Sequence, residues 1–108
     1  MSYQVDTIEH FEKEAKRLRK KYSSLKEEIL DLIEKLEDSP FEGVPIGNGF
    51  YKIRLAIRSK GKGKRGGARV ITYVKIIAET VFLVSIYDKA EQSDISQDLL
   101  QQIFEEVK

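Results

Sequence analysis

The sequence predicts an α+β fold, in which an N-terminal helical hairpin packs on a three- to four-stranded antiparallel sheet and a C-terminal helix follows. Two observations predict this. Apolar residues recur at helical spacing up to Pro40 and at every second position after Tyr51, which is strand spacing. The length of 108 residues suits one core of modest size. We therefore expect residues 1–108 to form a single domain.

Two adjacent amphipathic helices are predicted in the first half. The apolar stripe of the first helix consists of Ile8, Phe11, Ala15, Leu18 and Tyr22. Asp6 is its predicted N-cap. The pattern Ser24-x-x-Glu27 resembles a capping box and predicts the start of the second helix. Ser39-Pro40 ends that helix, because a residue that precedes proline is disfavoured in the helical conformation.

Three consecutive strands are predicted in the second half. Residues 51–57 alternate between apolar and basic or small side chains, and residues 70–77 and 81–87 are rich in β-branched residues. A short turn at residues 78–80 separates the last two, so the three strands form an antiparallel meander. Residues 1–5 are a candidate edge strand, and Ser96 is the predicted cap of a last helix.

Alternation along the first of these strands also predicts which side chains share a face. If its apolar residues face the helices, Lys52, Arg54 and Arg58 should lie together on the opposite face. Solvated basic residues on a strand are common, so this placement alone does not establish a site.

Charge is distributed unevenly along the chain. No acid occurs between Gly43 and Ala78, whereas nine Lys and Arg residues lie between Lys52 and Lys75. The net charge of +1 conceals this asymmetry. The connection between the first two strands carries the predicted RNA-binding residues Arg58, Lys60, Lys62, Lys64 and Arg65. Neighbouring glycines allow backbone N–H groups to approach an anion, and nucleic-acid phosphate is the first candidate.

Composition argues against several other functions. The chain has no Cys and one His, so disulfides, thiolate chemistry and Cys-based zinc sites are excluded and no metal or other cofactor is predicted. No apolar run approaches the roughly 20 residues of a membrane span, and no secretory leader is evident. A reducing cytoplasm is compatible with this composition. The G-x-G-x-x-G match at residues 61–66 is rejected as a dinucleotide site, because a strand rather than a helix follows it.

Several segments together resemble a known family. They are Tyr51-Lys-Ile-Arg54, Lys60–Lys64 with Arg65-Gly-Gly-Ala-Arg69, Ile86-Tyr-Asp-Lys89-Ala-Glu91 and Ser93-Asp-Ile95. These segments, in this order, resemble the toxins of bacterial RelE/HigB-type toxin–antitoxin modules, most of all the HigB-like branch with a KGKRGG-type loop. The resemblance covers nearly the whole chain. It implies a cytoplasmic toxin that cleaves mRNA on the ribosome and that a cognate antitoxin protein neutralises.

The same resemblance implies a catalytic set. Its members are Lys52, Arg54, Arg69, Tyr87 and Lys89. Arg69 would clamp the phosphate, because the guanidinium fork suits phosphate oxygens. Cleavage in the family is thought to use the RNA 2′-hydroxyl as nucleophile, without a metal. The chain departs from members that carry Arg just after the last strand and Tyr further on, since Ala90 and Ser96 occupy those positions. The assignment of acid and base therefore stays open, and closely packed cations make a lysine base conceivable.

Two other classes of function also fit the sequence. A non-catalytic RNA-binding or ribosome-associated protein would use the same basic loop. A gyrase-directed toxin of the ParE type would share the fold but act on a different target. Loss of RNA cleavage with retained binding, in a variant of the catalytic set, would separate an enzyme from a binding protein.

Overall fold

The structure, a computed structural model, describes residues 2–61, 63 and 66–108. Its elements in chain order are β1 (Gln4–Thr7), α1 (Glu9–Lys21), α2 (Leu25–Asp38), β2 (Val44–Gly47), β3 (Phe50–Leu55), β4 (Ala68–Lys75), β5 (Thr80–Asp88) and α3 (Gln97–Val107). A 3-10 turn, Arg58–Lys60, follows β3. No helix in the described part of the chain is long and apolar enough to cross a membrane.

The predicted α+β class is confirmed, and the sheet is larger than expected. It has five strands in the order β1-β5-β4-β3-β2. The meander β3-β4-β5 is antiparallel, as predicted, and the N-terminal edge strand exists. That strand runs parallel to β5, however, so the sheet is mixed rather than purely antiparallel.

The second additional strand is β2, which forms a hairpin with β3. Pro45 lies in this edge strand, where a missing N–H is tolerated. Asn48 and Gly49 in the connection have φ angles of 54° and 86°, which a tight hairpin turn requires. By contrast, the predicted strand at residues 70–77 extends too far. Ile76 and Ile77 belong to the turn before β5, and Ile77 is 99% exposed.

The predicted end of α2 and the predicted cap of α3 are confirmed, whereas two other predicted caps are wrong. Helix α2 ends at Asp38, directly before Ser39-Pro40, and Ser96 accepts a 3.1 Å hydrogen bond from the Leu99 N–H at the start of α3. The prediction of Asp6 as N-cap is wrong, because Asp6 lies in β1. The capping box is also wrong. Ser24 precedes α2, but its hydroxyl donates to the Glu28 carboxylate.

The two faces of the sheet carry two separate apolar clusters. Helices α1 and α2 cover one face through a cluster that includes Phe11, Leu18, Leu25, Leu36, Ile53, Val70, Leu83 and Ile86. Helix α3 packs on the other face through Phe50, Ile71, Val84, Tyr87, Leu100 and Ile103. A fully buried side chain of this size stabilises the fold by about 1.5–3 kcal/mol. Because α3 is short, part of the second face stays uncovered, and the candidate site lies there.

One glycine of the basic segment lets β3 and β4 meet. A Cβ atom added to Gly67 would lie 2.2 Å from the Leu55 carbonyl oxygen and 3.1 Å from the Ala56 Cα. Both are backbone atoms, so they cannot rotate away as a flexible side chain would. The Gly67 carbonyl in turn accepts a 3.0 Å hydrogen bond from the Lys89 N–H. Gly67 therefore fixes where the end of β3 and the residue after β5 lie.

We expect Gly67→Ala to destabilise the protein by about 1–3 kcal/mol, the usual cost of forcing an extra methyl group into a packed position. Gly63→Ala is the matched control, because nothing lies within 4 Å of a Cβ at Gly63. Its effect should stay within about 0.5 kcal/mol. Urea unfolding monitored by circular dichroism measures both. Equal midpoints for the two variants would contradict this account of Gly67.

Candidate functional site

Three of the predicted catalytic residues form a row across the sheet. Arg54 on β3 is the register partner of Arg69 on β4, and Arg69 is the partner of Tyr87 on β5. Side chains of directly opposed residues project from the same face of a sheet. On β3, Ile53 lies in the cluster under α1 and α2, and Tyr51 and Leu55 pack against that cluster, as predicted. Lys52 and Arg54 alternate with these residues and therefore lie on the other face.

A cleft of about 730 Å³ opens on this face. Its lining residues are Glu42, Gly43, Val44, Ile46, Lys52, Ile53, Arg54, Arg69 and Lys89, and we call it the cationic cleft. Arg54 is exposed, whereas Arg69 is only 6% exposed and donates from a guanidinium nitrogen to the Ala68 carbonyl at 3.2 Å. Two lysines and two arginines thus converge on one concave surface. Among the described residues, no group of three or more His, Asp or Glu side chains is placed to hold a metal ion.

At the margin of the cleft, one carboxylate contacts two residues of the catalytic set. The Asp94 Oδ1 atom accepts from the Lys52 ammonium at 2.9 Å and from the Tyr87 hydroxyl at 3.3 Å. Burial, and then the Asp94 charge, raises the pKa of Tyr87 to about 12, so its hydroxyl keeps its proton at neutral pH. The Lys52 hydrogen bond lowers the pKa of Asp94. Lys89 donates to the Ser93 carbonyl at 3.0 Å, beside this contact.

A second carboxylate anchors the surroundings of the cleft. Asp88 is fully buried and accepts hydrogen bonds from the Tyr22 hydroxyl at 2.5 Å, the Lys60 ammonium at 2.5 Å and the Ala90 N–H at 2.9 Å. Burial on its own would raise the pKa of Asp88, but the hydrogen bonds from Lys60 and Tyr22 outweigh it and lower the pKa to about 2. Asp88 is therefore ionised at every pH at which the protein is expected to work.

The predicted RNA-binding residues are not all in the cleft. Arg58 does not share the face of Lys52 and Arg54, and that prediction is wrong. The Arg58 guanidinium lies 3.2 Å from the Glu27 carboxylate and 3.7 Å from that of Glu28, both on α2. The Lys60 side chain is 10% exposed because it pairs with Asp88. Residues 62, 64 and 65 of this set lie outside the residues that the structure describes.

Sequence reasoning missed three parts of the site. Asp88 and Asp94 lie far along the chain from the basic window, so their contacts with Lys60 and Lys52 depend on the fold. The cleft wall formed by Val44 and Ile46 of β2 was missed as well. For this wall a signal existed, because Asn48-Gly49 between apolar residues is a strong hairpin pattern.

Comparison with known proteins identifies the family of this chain. The sequence profile described as the RelE toxin of the RelE/RelB toxin–antitoxin system matches residues 7–107. The chain belongs to the RelE toxin family. The resemblance stated from the motifs is therefore confirmed at the level of the family.

Solved structures of RelE-family toxins share the fold. A double mutant of the Escherichia coli RelE toxin in the free state is 19% identical, with a TM-score of 0.63 and full coverage of both chains. The toxin of the intact E. coli RelBE complex is 22% identical, with a TM-score of 0.61 over 81% of this chain and 96% of that one. The RelBE2 complex from Mycobacterium tuberculosis gives 17% identity and a TM-score of 0.62, over 83% of this chain and 94% of that one.

The Asp88 contacts predict how the stability of this RelE-family toxin depends on pH. The folded pKa of Asp88 lies below the unfolded value, so its contribution is complete above about pH 4 and is lost as the pH falls toward 2. The loss for this one group amounts to about 2 kcal/mol of unfolding free energy. Asp88→Asn should flatten this part of the pH profile, and it should lower stability at pH 7 because Lys60 loses its buried partner.

Urea unfolding between pH 2.5 and 7 measures the effect. Glu105→Gln on the exposed face of α3 is the control, and it should leave the shape of the profile as in the wild type. An Asp88→Asn protein that loses stability with falling pH as steeply as the wild type would contradict the assignment.

Proposed function

We propose that the protein is a ribosome-dependent mRNA endonuclease that inhibits translation and acts without a metal. The observation that carries this proposal is the convergence of Lys52, Arg54, Arg69 and Lys89 in one cleft. Such a surface suits RNA phosphate, and the fold is that of a toxin family. Ribosomes and mRNA place the proposed activity in the cytoplasm.

The proposed reaction is attack of the RNA 2′-hydroxyl on the neighbouring phosphorus. The O2′–P bond forms and the P–O5′ bond breaks, which leaves a 2′,3′-cyclic phosphate and a 5′-hydroxyl. A base takes the proton of the 2′-hydroxyl, and an acid gives a proton to O5′. Negative charge grows on the phosphate oxygens in between, and preorganised cations stabilise that charge most.

The geometry of the side chains supports the individual roles that we propose. The Arg69 guanidinium is nearly buried and donates to the Ala68 carbonyl, so its fork would meet phosphate oxygens with little loss of freedom. Arg54, the register partner of Arg69, is exposed and would stabilise the same negative charge on the phosphate. Tyr87 and Lys89, at the end of β5, are the proposed proton-transfer residues, and their order as acid and base is left open. Lys52 completes the set of cations.

Contacts outside the cleft are proposed for the basic loop. Arg58 and Lys60 are engaged by acids of the protein itself, so in the free protein they anchor the base of the loop. We therefore assign the phosphate contacts of the loop to Lys62, Lys64 and Arg65. Because such contacts release condensed counterions, binding to ribosomes or RNA should weaken steeply as the salt concentration rises.

We also propose that an antitoxin protein neutralises this toxin. Solved structures similar to the chain include RelBE complexes of E. coli and M. tuberculosis, each described as a toxin–antitoxin complex. An antitoxin would act here by covering the cationic cleft or by preventing the toxin from binding the ribosome. Acidic or apolar residues are the chemistry that such a partner would present to this surface.

Replacing Arg69 by Ala should reduce mRNA cleavage by about 100-fold or more, because the lost contact acts on charge that develops in the transition state. Lys89→Ala removes a proposed proton-transfer residue and should also reduce cleavage by about 100-fold or more. Arg69→Lys keeps the charge without the fork and should be intermediate. The measurement is induction of each variant in cells, followed by mapping of new 5′ ends in cellular mRNA.

Arg19→Ala on the exposed face of α1 serves as the matched control and should cleave like the wild type. Circular dichroism of each purified variant separates lost chemistry from lost folding. Growth arrest by the wild type without new mRNA ends would exclude the nuclease and favour a gyrase-directed toxin. No arrest at all would favour a non-catalytic RNA-binding protein.

A further inference from the structure

The cationic cleft is partly neutralised by the protein itself, through the loop between β5 and α3. The Asp94 carboxylate holds the Lys52 ammonium at 2.9 Å, and the neighbouring Ser93 carbonyl accepts from Lys89. Two of the four cleft cations are therefore already engaged by two adjacent loop residues. Any phosphate that is to bind Lys52 must compete with Asp94.

This loop is fixed at both ends and exposed between them. At its start, Glu91 forms ion pairs with Arg17 and Lys21 of α1, at 2.9 and 3.2 Å. At its end, Ile95 is buried in the α3 cluster. Asp94 lies between these anchors with 60% of its side chain exposed. Rotation of this one side chain toward solvent would release Lys52, and it would also break the 2.9 Å hydrogen bond from the Ile95 N–H to the same oxygen atom.

Displacement of Asp94 would also release a second group. The Tyr87 hydroxyl is 3.3 Å from the same Asp94 Oδ1 atom, and Tyr87 is 2% exposed. The Oδ1 atom thus accepts hydrogen bonds from an ammonium and from a hydroxyl group, as a phosphate oxygen in the same place would. A carboxylate that satisfies both donors keeps them ordered while no anion is bound.

We propose that Asp94 is a resident anion, which takes the place of an RNA phosphate oxygen at Lys52 and Tyr87 in the RNA-free protein and is displaced when RNA binds. This inference rests on the proposed RNA-binding role of the cleft. Asp94 thereby sets the affinity of the site, because each bound phosphate must replace an existing ion pair and stay beside a like charge. Asp94 also holds Lys52 and Tyr87 in position while no RNA is bound.

The test uses a 2′-O-methylated RNA trinucleotide, which binds but offers no 2′-hydroxyl for cleavage. Asp94→Asn should bind it roughly three- to tenfold more tightly at low salt, because one competing charge near the phosphate is removed. The substitution is isosteric. Its amide oxygen can still accept the hydrogen bond that the Ile95 N–H donates to the carboxylate at 2.9 Å in the wild type. Nuclear magnetic resonance titration measures dissociation constants even in the millimolar range.

Two further variants isolate the cause. Asp38→Asn, at the exposed end of α2, removes the same net charge far from the loop along the chain and should change binding less than about twofold. In a Lys52→Met background the gain from Asp94→Asn should shrink, since the competition for Lys52 no longer exists. In the wild type, the low pKa of Asp94 should rise when the trinucleotide binds, because Lys52 no longer holds its carboxylate.

Several outcomes would overturn the inference. One is that Asp94→Asn binds the trinucleotide no more tightly than the wild type does. Another is that the Asp94 pKa does not change on binding. Absence of binding in both proteins would overturn it as well, since Asp94 would then not be what limits the site. The trinucleotide cannot be cleaved, so a wild type that binds it but never cuts mRNA would refute the nuclease alone.

Discussion

The buried carboxylate of Asp88 is the contact on which the arrangement of the site depends. It accepts hydrogen bonds from Tyr22 at the end of α1, from Lys60 in the connection between β3 and β4, and from the Ala90 N–H in the loop before α3. Three segments that are far apart along the chain therefore meet at one pair of oxygen atoms. Asp88 lies between Tyr87 and Lys89, so the same contact fixes the end of β5 where both side chains begin.

A buried ion pair is an expensive way to hold segments together, because both charges must leave water. An apolar contact of similar volume is often at least as stabilising. Compared with an apolar contact, Asp88 adds a defined direction to each interaction. A carboxylate accepts hydrogen bonds along defined directions, and it accepts from Tyr22 and Lys60 at once. For a loop that carries several like charges, a fixed base limits where those charges can be presented.

Local pattern was enough to predict most elements and the meander β3-β4-β5, but not strand β2 or the pairing partner of β1. Helical periodicity gave α1 and α2, alternation gave β3, and Pro40 gave the end of α2, because each depends on residues a few positions apart. The parallel pairing of β1 with β5 joins Gln4 to Thr80, and no local signal encodes it. The cleft followed the same rule. Alternation on one strand placed Lys52 and Arg54 on one face, whereas Asp94 becomes a neighbour of Lys52 only through the fold.

The acid-free window of the sequence is consequently not an acid-free surface. Within the described residues, Lys52 meets Asp94, Arg58 meets Glu27 and Glu28, and Lys60 meets Asp88, all of them acids from outside the window. A count of charges along the chain therefore overstates the positive field at the cleft. Cations that are paired with acids repel one another less than unpaired cations would, so less free energy is needed to hold them close together. If the cleft binds RNA as proposed, phosphate exchanges with these acids, so the affinity of the site depends on how readily each acid is displaced. In this proposal exposed Asp94 is displaced, whereas buried Asp88 is not.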